Sequence, residues 1–135
     1  MAEVMSAVRS MLGVMSSGTA GSALASFGAC IAAHDWSGLR ALLADDVSVE
    51  LVHTGERFDA DAFVALNRDY PGDWVFHVDE VVDGGARAVL RARTVVGDET
   101  FHVATFGSLD PQGLLTRLVE VWTEAVAPHP QRGPA

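Results

Sequence analysis

A single carboxylate interrupts the apolar alternating run Leu118-Val119-Glu120-Val121-Trp122, and no other residue of the chain is better placed to do chemistry. Such a run reads as a β-strand, which sends alternate side chains to opposite faces, so Glu120 shares a face with Leu118 and Trp122. A carboxylate on an apolar face loses hydration; its pKa rises, and burial costs free energy unless hydrogen bonds compensate. Such a group acts as a general acid/base or ligand anchor, or it is a structural acceptor for a helix N-terminus, a hydroxyl or trapped water. From the residues alone both readings stand.

Turn chemistry supplies the neighbours of Glu120. If Gly97-Asp98 is a two-residue hairpin turn, Leu90 faces Thr105, Ala92 faces Val103 and Thr94 faces Phe101. A four-residue loop at Asp110 to Gly113 sets Thr105 against Leu118, Val103 against Glu120 and Phe101 against Trp122. Both turns place Leu90, Phe101, Val103, Leu118, Glu120 and Trp122 on one apolar face. Arg91, Arg93, His102 and Arg117 fall on the other. The candidate site is therefore Glu120 as acid/base, with Trp122, Phe101, Val103, Leu118 and Leu90 as ligand-contacting wall, or as core. Carrying the register across Gly84-Gly85 brings His77 inward, opposite Ala92, as a proton relay to Glu120. A β-bulge in that strand would instead turn Trp74, Phe76 and Val78 inward. Tyr70 and His53 are candidates for the rim of a pocket, at the ends of a helix and a strand.

These residues need elements to hold them. Helical spacing marks 22–33 and 36–43, the second capped by Asp35, and Asp59 caps a third helix at 60–68. Strand patterns occupy 47–52, 74–82, 87–96, 99–109 and 114–124, the last four as a meander joined by short Gly- and Asp-rich turns. Helices followed by a hairpin-linked sheet make an α+β domain with the helices on one sheet face. The expected organisation is a frayed or loosely helical extension at 1–21, one domain at 22–126 and a Pro-rich tail at 127–135.

Composition narrows the partners. Nine Lys and Arg against 18 Asp and Glu give a net charge of −9 with no basic patch, which disfavours nucleic acid and anionic membrane. No apolar run approaches the roughly 20 residues that span a bilayer. The lone Cys30 sits among helical core positions and reads as packing rather than as a nucleophile, and a cytoplasmic setting is the simplest for it. The histidines are scattered without metal-ligand spacing, so no metal or cofactor is expected.

The phrase from Trp36-Ser37-Gly38-Leu39 to Asp45-Asp46-Val47, the Gly84-Gly85 turn before Ala88-Val89-Leu90, and the stretch from Leu114 to Trp122-Thr123-Glu124 resemble the SnoaL-like branch of the nuclear transport factor 2-like superfamily. The resemblance implies a cone of curved antiparallel sheet wrapped on three helices, a pocket for a small apolar metabolite, and a homodimer through the outer sheet face. It also implies chemistry of the cyclase, isomerase, dehydratase or epoxide hydrolase kind, or binding alone, so fold does not deliver function. Ketosteroid isomerase carries a Glu-Asp pair on its first strand with Asp as base; the similar stretch here reads Glu50-Leu51. Limonene epoxide hydrolase uses an Arg and an Asp on a middle strand, where this chain has Leu90, Ala92 and Thr94. Only the last-strand carboxylate, Glu120, has a counterpart.

Overall fold

The computed structural model describes residues 18–132, so the reading of 1–17 as an extension lies outside the described residues. Helix α1 (Ala20–Ala33) begins two residues earlier than its pattern predicts, because the Thr19 hydroxyl accepts from the Ser22 N–H at 3.1 Å. It ends at His34, held in the left-handed region at φ 55°. Asp35 caps α2 (Trp36–Leu42) through the Gly38 N–H, and Asp59 caps α3 (Ala60–Arg68) through the Ala62 N–H. Both caps are the predicted ones.

The strands are β1 (Leu43–Leu51), β2 (Glu56–Phe58), β3 (Val75–Asp83), β4 (Arg87–Val96), β5 (Glu99–Leu109) and β6 (Leu115–Glu124), in the sheet order β2-β1-β6-β5-β4-β3. The meander β3 to β6 is antiparallel, as expected, but β1 lies parallel beside β6, so the sheet is mixed. Nothing in a hairpin-based reading reaches that pairing, since parallel neighbours are joined by long crossovers rather than turns. Strand β2, three residues long, is too short for an alternating pattern to show.

The β4–β5 register is the predicted one, Thr94 against Phe101 and Leu90 against Thr105. Between β5 and β6 the pairing is displaced by two residues: Thr105 faces Glu120, Val103 faces Trp122 and Phe101 faces Glu124. The displacement has two parts. Leu109 pairs with Leu115, and an irregularity follows before Ser108 pairs with Arg117. A shift of two residues preserves the face of every side chain, so Glu120 and Trp122 still point inward. In β3 the inward His77 is not observed. A bulge between Val78 and Glu80 flips the strand, Phe76 and Val78 face Thr94 and Ala92, and His77 pairs with Arg93 on the outer face.

The helices cover the inner sheet face. Leu24 and Phe27 of α1, Leu39 of α2 and Phe63 of α3 meet Val49, Leu90, Leu115 and Leu118 in one continuous core. The Phe27 and Phe63 rings stack with centroids 6.0 Å apart. Helix α1 comes so close to the sheet that a Cβ on Gly28 would stand 2.6 Å from Val78 Cγ2 and 2.9 Å from Leu90 Cδ1. Cys30 is half-buried against this core, its thiol pKa pushed up by burial and by Asp35. Among the described residues no helix is long and apolar enough to cross a membrane.

Candidate functional site

Strand β6 carries Glu120 between Leu51 of β1 and Thr105 of β5, its two cross-strand partners. Its neighbours on the inner face of its own strand are Leu118 and Trp122, so the side chain enters the cone. Only 4% of Glu120 is exposed. The Thr105 hydroxyl lies 2.7 Å from Oε2, and the Trp122 indole N–H donates to Oε1 at 3.1 Å. Burial holds the carboxyl above the ordinary glutamate range, and the bonds from Thr105 and Trp122 pull the other way without offsetting it. A hydroxyl can donate or accept, whereas an indole only donates. The pair on Oε2 therefore tolerates either protonation state, while Oε1 stays an acceptor.

Glu120 forms part of the wall of a cavity of about 230 Å³ at one end of the cone. The cavity is predominantly apolar, with Ile31, Leu51, Leu66, Phe76, Val96 and Phe101 beside Trp74 and Trp122. Its polar groups are Glu120, Thr94 and Asn67, with Tyr70 and His53, both exposed, at the rim. Five of the residues singled out from the sequence thus converge: Glu120, Trp122, Phe101, Tyr70 and His53. Val103, Leu118 and Leu90 do not line the cavity; they are buried in the core. His77 lies exposed on the far face of the sheet, so a relay to Glu120 is ruled out by the β3 bulge.

Asn67, Thr94, Trp74 and Phe76 also line the site, with the aliphatic Ile31, Leu51, Leu66 and Val96, and none of these is among the site candidates read from the sequence. Asn67 was within reach, because it falls four residues after Phe63 and three after Val64, on the buried face of α3. Its Nδ2 donates to the Phe63 carbonyl at 2.9 Å. Trp74 donates its indole N–H to the Tyr70 carbonyl at 3.2 Å, tying the end of α3 to the start of β3. His34 packs on both Trp74 and Trp36, with ring centroids 4.3 and 5.3 Å away. Among the described residues no group of three or more His, Cys, Asp or Glu could hold a metal ion.

What this arrangement can do is limited and definite: it can enclose a small apolar body and place one desolvated carboxyl against it. Residues 24–127 match the SnoaL-like domain family. A protein from Kribbella flavida DSM 17836, provisionally named a ketosteroid isomerase, is 30% identical in sequence, with 82% of each chain covered and a TM-score of 0.75. An LEH-like epoxide hydrolase from M. tuberculosis is 21% identical over 75% of this chain and 80% of its own, with a TM-score of 0.61. IdmH from Streptomyces antibioticus, provisionally a polyketide cyclase, is 14% identical over 74% and 88% of the two chains, with a TM-score of 0.63. These last two likenesses are of fold alone. No curated protein matches the chain. The family match spans most of the sequence and the helix-covered cone accompanies it: the chain belongs to the SnoaL-like family of the nuclear transport factor 2-like superfamily.

Proposed function

We propose that this protein binds a small, largely apolar metabolite in the Glu120 cavity and acts on it by cofactor-independent acid/base chemistry of the cyclase, isomerase or dehydratase type. The observation that carries this reading is a single buried carboxyl in the wall of a predominantly apolar pocket. A carboxyl raised above its ordinary range exchanges protons closer to neutrality, which suits general acid/base work. The isomerase and cyclase names of structural neighbours agree with that class of chemistry. The occupant must be small, because about 230 Å³ lies below the roughly 300 Å³ at which ordinary ligand pockets begin. A tetracyclic molecule would protrude past Tyr70 and His53.

One observation favours a second reading. Both Glu120 oxygens already have protein partners, as expected of a structural acceptor in a binding or dimerisation module without turnover. Glu120→Gln separates the two. In the catalytic reading the variant still gains thermal stability from the same metabolites as the wild type, as any ligand of the folded state must confer, but turnover is abolished. Turnover surviving in the variant would sink the catalytic reading. A homodimer through the outer sheet face, where Val75, Phe106 and Val121 are exposed, belongs to the proposal; light scattering on the purified chain tests it.

A further inference from the structure

Among the described residues His34 is the one non-glycine residue with a positive φ, at 55°. It closes α1, and the Asp35 N–H reaches back to the Cys30 carbonyl at 2.8 Å before Asp35 caps α2, so one helix leads into the next through a left-handed residue. Glycine is the usual occupant of such a position, because a Cβ there is crowded by the following carbonyl. An imidazole in its place has to be accounted for by what the ring touches. His34 packs on Trp74 with centroids 4.3 Å apart and planes tilted by 36°, and on Trp36 at 5.3 Å and 27°. Trp74 lines the cavity, whereas His34 and Trp36 do not. His34 is exposed and Trp74 is only 8% exposed. The imidazole therefore stands behind the cavity wall, between the indole and solvent.

The hydrogen bond from the Trp74 indole N–H to the Tyr70 carbonyl, 3.2 Å long, holds one edge of the ring. A bond at one atom leaves the plane free to tilt, and a second ring packed 4.3 Å away limits that tilt. Resting on the reading of this cavity as the ligand site, we infer that His34 is a positioning residue: by backing Trp74 it sets the width of the cavity, and with it the size of the ring the site accepts. Without the imidazole the indole has room to fall back toward solvent, and the cavity widens at Trp74. The left-handed backbone at His34 is then strain kept at a functional site, held in place by the aromatic contacts around it.

The probes are toluene and naphthalene, apolar molecules of one ring and of two fused rings. Each is titrated into the full-length wild type, His34→Gly and His34→Asn, with binding read from the Trp74 and Trp122 indole N–H resonances, which also locate the site. Glycine and asparagine tolerate a left-handed backbone, so both variants should fold, with Tm within about 5 °C of the wild type. Toluene should bind them roughly two- to ten-fold more weakly, the equivalent of one aromatic pair, while the naphthalene-to-toluene affinity ratio rises. Hydrogen exchange of the Trp74 indole N–H should quicken and that of Trp122 stay as it is. His34→Phe keeps a ring on Trp74 and should keep the wild-type ratio, at a lower Tm. Folded Gly and Asn variants with the wild-type ratio and the wild-type Trp74 exchange would leave the pocket reading intact and overturn the role of His34. A His34→Gly chain that does not fold would overturn it too, because the ring would then hold the turn between α1 and α2 rather than the cavity wall. Failure of both probes to bind the wild type would overturn the pocket reading and this inference with it.

Discussion

The inner face of the sheet has two ends, and they differ in what the helices set against them. At one end Leu90, Leu115 and Leu118 meet Leu24 so closely that a Cβ on Gly107 would stand 3.0 Å from Leu24 Cδ2 and 3.3 Å from Leu115 Cδ2. At the other end Phe76, Thr94, Phe101 and Trp122, on the same face of the same sheet, border a cavity. Glu120 and Thr105 lie where the two meet. The alternation along each strand is the same throughout, so the sheet alone does not make the pocket. Flexible aliphatic side chains interdigitate and close the cone. Broad aromatic rings, two of them held by indole hydrogen bonds, cannot collapse into the gap.

The largest expected effect contrasts the two ends directly. Leu118→Ala, at a fully buried position, should cost about 3 kcal/mol of unfolding free energy, within the usual range for a core leucine. Phe101→Ala removes a larger side chain, but one already half-buried beside empty space, and should cost about half as much, since the penalty tracks the new cavity rather than the residue type. Urea unfolding with an unchanged m-value gives both numbers. Equal costs would mean that the open end is as tightly filled in solution as the closed one.

At the junction, Thr105→Val is nearly isosteric and removes the 2.7 Å partner of Glu120 Oε2. Leaving a buried carboxyl short of a partner should cost about 1–3 kcal/mol and push its pKa higher still, as the Thr105 bond is the larger of the two lowering influences. Smaller again is a pH effect. Because Glu120 has a raised pKa when folded, the folded state holds its proton in a window where the unfolded chain has released it. The stability from this group is fully present below the ordinary glutamate range and is lost as pH rises through the folded pKa. The slope cannot exceed about 1.4 kcal/mol per pH unit. Glu120→Gln lacks the titrating group, so unfolding free energies of the two proteins measured across acid to neutral pH should diverge, the wild type losing ground as pH rises. Parallel curves would show that the carboxyl is not held in a desolvated wall.

Much of this was legible from the residues. Asp35 and Asp59 announced α2 and α3 because a cap is a local hydrogen bond, and Gly97-Asp98 set the β4–β5 register because a two-residue turn leaves no slack. Glu120 stands out as the one charge in the apolar run Leu118 to Trp122. What escaped was non-local or irregular. The parallel docking of β1 against β6 joins segments with no turn between them, and the burial of Leu118 and Leu90 in the closed end of the core, away from the cavity, depends on where α1 crosses the sheet. The Thr105–Glu120 bond was hidden by the two-residue displacement between β5 and β6, which conserves faces but exchanges partners.

The smallest expected effect bears on the irregularity that misplaced a candidate. A continuous register from the Gly84-Gly85 turn puts His77 on the inner face and a bulged strand puts it outside; the bulge between Val78 and Glu80 decides for the second, with Asp79 held by Arg91 and Arg93. His77→Ala should therefore change stability by no more than about 0.5 kcal/mol, as exposed substitutions do, and leave ring binding in the cavity unaltered. Phe76→Ala, one residue earlier, should weaken that binding, because Phe76 is buried and borders the cavity. The contrast reads the strand's register through side chains alone. Were His77 to matter and Phe76 not, β3 would run without its bulge, an imidazole would stand one row from Glu120, and the site would regain the proton relay that the observed strand turns away.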